Sequence, residues 1–130
     1  MRYLSFVISN SDVPPTPELM DAMGKLIERE IKAGRLIDTG GLLPAATRVT
    51  LKQGELGVTD GPFAETKEVI GGYAMFEFAN RDEAIASAIE FMTLHKQFLP
   101  SWEGTCEVRE VASPGTSEGC NVQTGVSNAA

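Results

Sequence analysis

The chain has one histidine, one tryptophan and two cysteines in 130 residues, and each scarcity removes a class of chemistry. Cys106 and Cys120 stand alone, without CxxC or Cys/His spacing, so neither a zinc site nor a disulfide framework is indicated and no cofactor is expected. Cys106 reads as a buried strand residue, because a free thiol packs as a small hydrophobe. Basic residues are also few: 11 Lys and Arg against 18 Asp and Glu leave a net charge of −7. Binding a polyanion requires clustered cations, so no nucleic acid is expected as a partner. No stretch approaches the roughly 20 apolar residues of a membrane span. The opening MRYLSFVISNSD turns polar by Ser9 and lacks a small-residue cleavage site, so the expectation is a cytoplasmic protein without a membrane partner.

What is present is the composition of one globular domain, 42% hydrophobic and 22% charged, long enough to bury a core without staples. Residues 2–8 alternate as a strand. In TPELMDAMGKLIEREIKAGR, apolar residues recur at helical spacing, Thr16 is placed to cap, Pro17 suits the first turn and Gly34 supplies a stop. LIDTGGLLP reads as a short strand broken by Gly40 and Gly41. TRVTLKQ and ELGVTD flank Gly54 as a hairpin. VIGGYAMFEFA is the most strand-like run, NRDE opens a second helix with a capping box at Asn80 and Glu83, and TCEVREV closes as a strand. The domain spans 1–112; residues 113–130 are small and polar, and predict a flexible tail or one ordered by docking.

This order predicts an α+β fold, a ferredoxin-like split βαβ with an inserted β-hairpin. Two helices cover one face of such a sheet. Alternation assigns Leu4, Phe6, Ile8, Ile70, Ala74, Phe76, Phe78, Cys106 and Val108 to the covered face. Tyr3, Ser5, Val7, Tyr73, Met75, Glu77, Glu107 and Arg109 go to the other. The second face is too apolar to lie bare, so the expected partner is a second copy, forming a homodimer with a partly polar cavity between the sheets.

The run VTDGPFAETKEVIGGY, preceded by the Gly-Gly-Leu-x-Pro element at residues 40–44 and followed by WEGTCEVREV, resembles the DGPF branch of the YCII-related family over residues 1–112. The resemblance implies a dimeric α/β barrel built on a ferredoxin-like unit. It also implies either small-molecule chemistry of a lyase or isomerase kind or an association with an extracytoplasmic-function sigma factor. The His–Asp pair that some members use does not transfer, because the first helix holds no histidine. His95, at the end of the second helix, reads as a helix C-terminal cation beside Lys96, against a catalytic role.

Asp60 has two readings. It caps a corner in which Gly61, Pro62 and Phe63 turn and anchor the chain, or it presents charge at a cavity mouth with Glu65, Lys67 or Glu68. Tyr3, Ser5, Tyr73, Glu107 and Arg109 are the candidates for ligand contact, since alternation places them on one face. Arg109 there would clamp a carboxylate and Tyr73 would stack or donate, or Glu107 and Arg109 would pair against the partner copy. Gly71 and Gly72 would let a backbone or ligand approach closely. Two functions stand: a protein binding a small carboxylate-bearing organic molecule, and a non-catalytic regulatory module.

Overall fold

A computed structural model describes residues 1–61 and 69–112. The elements follow in the expected order: β1 (Arg2–Ser9), α1 (Pro17–Lys32), β2 (Leu36–Gly41), β3 (Thr47–Lys52), β4 (Glu55–Asp60), β5 (Val69–Glu77), α2 (Arg81–Phe98) and β6 (Thr105–Val111). Four strands form an antiparallel sheet in the order β2-β5-β1-β6, the split βαβ arrangement, and among the described residues β3 and β4 pair only with each other. Pro62 to Glu68, which include Phe63, Glu65 and Lys67 of the corner motif, lie outside the described residues, as do residues 113–130 with Cys120.

Both helix starts follow from local chemistry. The Thr16 hydroxyl accepts the Leu19 amide at 3.2 Å, ahead of Pro17, and Gly34 ends the turn at φ 76°. At α2 the Asn80 side chain accepts the Glu83 amide at 3.0 Å, while the Glu83 carboxylate accepts from Ala79, one residue further back than a capping box requires. The hairpin closes through Gln53 and Gly54, both at positive φ, the geometry that matches strand twist.

Three expectations need correction. The glycines at 40 and 41 do not break β2, which runs through both in register with Tyr73 and Gly72. A bulge at Gly71 lets Ile8 face Ile70 while Val7 faces Gly72, so Ile70 leaves the face of Ala74 and Phe76. Most consequential, β1 sits in the opposite phase to the one expected. Tyr3 lies opposite Phe76, Ser5 opposite Ala74 and Val108, and Val7 opposite Cys106. Directly opposed residues share a face, so Tyr3, Ser5 and Val7 lie under the helices. Leu4, Phe6 and Ile8 lie on the open face with Tyr73, Met75, Glu107 and Arg109. Both phases of β1 carry apolar residues, and alternation inside one strand does not choose between them.

The core forms where α2 begins: Tyr3 at 2% exposure packs with Phe78 and Ala84, and Phe76 stacks on Phe78 at 4.9 Å between ring centroids. Across the helix layer, Arg29 on α1 holds Glu90 on α2 through two parallel bonds of 2.7 and 2.6 Å. This fork bridges the two helices at their solvent-exposed side.

Candidate functional site

The six sequence candidates fall in three places. Tyr3 and Ser5 face the helices. Tyr3 is core, and burial, with the Glu110 charge adding to it, pushes its phenol above the ordinary value. Tyr73, Glu107 and Arg109 are on the open face. There the Arg109 Nε already donates to Glu107 at 2.6 Å, which is the pairing reading of those two residues, and the Tyr73 hydroxyl donates to Asp38 at 2.8 Å. Asp60 ends β4, where its carboxylate accepts the Thr47 hydroxyl at 2.7 Å and the next amide, of Gly61, donates to Ala46. That bond ties the base of the hairpin. Of the five residues expected on one face, Tyr73, Glu107 and Arg109 share it and Tyr3 and Ser5 do not, although Ser5 and Tyr73 both border the cavity between sheet and helices.

The interior space lies on the other side of the sheet. A cavity of about 350 Å³ separates the sheet from both helices, walled by apolar residues such as Val7, Leu26, Ile27, Phe76, Ala88 and Phe91. Small side chains create it. Ser5, Gly72 and Ala74 on the sheet, and Ser87 and Ala88 on α2, stand where larger residues would close the layer. The volume falls in the range of small-molecule pockets, and well above the roughly 150 Å³ that holds benzene in an engineered cavity.

Its polar groups are few. The Ser5 and Ser87 hydroxyls line the cavity and make no hydrogen bond among the described residues, whereas Thr39 is engaged with the Tyr73 carbonyl at 2.8 Å. Glu30 is the one carboxylate in the lining. At 4% exposure it accepts from Arg35 at 3.1 and 2.5 Å and from Arg29 at 3.3 Å. The Arg35 bonds, more than the Arg29 contact, hold its pKa below the ordinary carboxylate value despite burial. The Cys106 thiol, also in the lining, is pushed up by burial alone and so stays protonated at neutral pH.

Glu30 and Ser87 were missed in the sequence. The available signal was a charged residue at position 30 continuing the helical stripe of Met23, Leu26 and Ile27, which only a buried ion pair tolerates. His95 is at the end of α2 as expected but is 8% exposed. Its ring lies between Phe91 and Trp102, with centroids 4.8 and 4.5 Å away, and its Nδ1 is 3.1 Å from the Phe91 carbonyl. It is a packing residue of the helix end, and it does not line the cavity. Among the described residues no group of three or more metal-ligating side chains is found, and no helix is long and apolar enough to cross a membrane.

An antiparallel sheet roofed on one side by two helices, with a partly open apolar cavity between the layers, defines a small α+β domain of the pocket-bearing kind. The chain belongs to the YCII-related domain family, whose model matches residues 1–96. It is also similar to uncharacterized protein R00369 of Rhizobium meliloti (strain 1021). The two are 34% identical over 96 residues, covering 72% of this chain and 73% of that protein. The matched span contains α1, β2 and β5 with most of α2, and hence nearly all of the cavity wall.

Proposed function

We propose that this protein binds a small, uncharged and largely apolar organic molecule between its sheet and its helices. One observation carries the reading: an apolar cavity of about 350 Å³ in which the Ser5 and Ser87 hydroxyls have no hydrogen-bond partner among the described residues. Apolar walls supply affinity and two hydroxyls supply orientation. A carboxylate-bearing ligand, expected from Arg109, fits this cavity poorly. Arg109 lies on the other face, engaged by Glu107, and the cavity's own charged group is the anionic Glu30. The engagement of the Glu30 carboxylate by Arg29 and Arg35 favours binding over lyase or isomerase chemistry in this cavity.

Leu4, Phe6, Ile8 and Met75 on the open face support a homodimer in which two such sheets meet, the assembly implied by a DGPF-branch resemblance. In that dimer the Glu107–Arg109 pair faces the partner copy. The regulatory alternative, docking on an extracytoplasmic-function sigma factor, draws support from the exposed apolar face of the β3–β4 hairpin.

Native mass spectrometry of protein purified without detergent tests the binding reading, together with titration of the uncharged dye Nile red. The expected result is a retained small molecule or saturable dye binding that Ala88→Phe, which projects a phenyl ring into the cavity, weakens strongly. Dye binding unchanged in a folded Ala88→Phe variant sinks the assignment.

A further inference from the structure

The β3–β4 hairpin has a clear polar face and a clear apolar one. Val49 lies opposite Val58 and Leu51 opposite Leu56, so all four share one face, and they are 68–75% exposed. Arg48, Thr50, Lys52, Glu55 and Thr59 take the other. This is the alternation of a strand pair with one side buried, yet nothing among the described residues lies on the apolar side. The hairpin is nonetheless firmly built, with a tight turn at Gln53 and Gly54 and the Thr47–Asp60 bond at its base. Two isolated strands are marginal in water, and a hydrophobic face of this kind gains stability only when covered.

We infer that the hairpin is an arm that clasps a second copy of this chain, burying Val49, Leu51, Leu56 and Val58 against the partner. The inference rests on the homodimer reading above and adds to it a named second contact. Size argues for it. The open sheet face is made of four strands of six to nine residues, and alternation turns roughly half of those residues, about fifteen, outward. A stable interface takes about 20–30 residues a side. The sheet face alone falls short, and the arm supplies apolar residues of the kind that are missing. Two copies each carrying a net charge of −7 repel, so association has to come from apolar burial. Both surfaces occur on every copy, which allows a closed two-fold pair.

The test compares the full chain with Leu51→Ser/Leu56→Ser by light scattering and sedimentation across protein concentration, with circular dichroism and thermal melts as folding controls. Both leucines are exposed, so the variant is expected to fold. The dimer dissociation constant should rise at least a hundredfold. A wild-type monomer at all concentrations overturns the dimer reading and the arm with it. A wild-type dimer whose dissociation constant the substitutions leave unchanged overturns the arm alone. Hydrogen exchange on the unsubstituted chain gives an independent reading. Amides of residues 47–60 should gain protection as dimer forms; protection that appears only when a purified sigma factor is added would assign the arm to that partner instead.

Discussion

The Tyr73 ring crosses Gly40 to place its hydroxyl 2.8 Å from the Asp38 carboxylate, and a Cβ at position 40 would sit 3.0 Å from the Tyr73 Cε1. Glycine in this edge strand is therefore what lets an aromatic from β5 lie across β2. The bond to Asp38, reinforced by its charge, holds the Tyr73 proton and raises the phenol above its ordinary pKa.

Removing that charge should show in a spectroscopic titration. The chain has only two tyrosines, so Tyr73→Phe isolates the absorbance change that belongs to Tyr73. In Asp38→Asn the same transition should move down toward the ordinary phenol value. An unmoved transition would mean that Asp38 and Tyr73 do not pair in solution.

Glu30 should matter most to acid stability. Its folded pKa is depressed, so the stabilisation is complete above the ordinary carboxylate range and is lost as pH falls through the lower folded value. Glu30→Gln should flatten the acid limb of a melting-temperature profile. It should also cost about 2 kcal/mol at neutral pH, below the 3–5 kcal/mol of a fully buried pair because Arg29 and Arg35 reach solvent.

Gly104→Ala should disturb the end of α2. A Cβ there would collide with the outer edge of the Trp102 indole and lie 3.1 Å from the Ile8 carbonyl, so the indole must leave its place against His95. Overpacking of this kind costs about 1–3 kcal/mol. Trp102 is the sole tryptophan, and its fluorescence emission should shift to the red; an unchanged spectrum and melting temperature would contradict the contact.

Tyr3→Ala tests the phase of β1. A residue at 2% exposure packed on Phe78 should cost about 3–5 kcal/mol in chemical denaturation, as large core truncations do. Leu4→Ala should cost the isolated subunit much less, measured at dilutions that keep it monomeric. The reverse order would restore the other phase.

Local chemistry in the sequence settled the element order, the helix caps at Thr16 and Asn80, the stop at Gly34 and the hairpin turn at Gly54, because each depends on neighbours a few residues away. It also identified Ser5 as a contact candidate, though for a face on which Ser5 does not lie. The pairing of Tyr3 with Phe76, the bulge at Gly71, the cavity and the Glu30 ion pairs came only with the tertiary structure. β1 is apolar in both phases, so its orientation follows from ladder partners some 60 to 110 positions distant in sequence. A cavity is likewise the space left between distant small residues, such as Ser5, Ala74 and Ser87, and no local pattern records it.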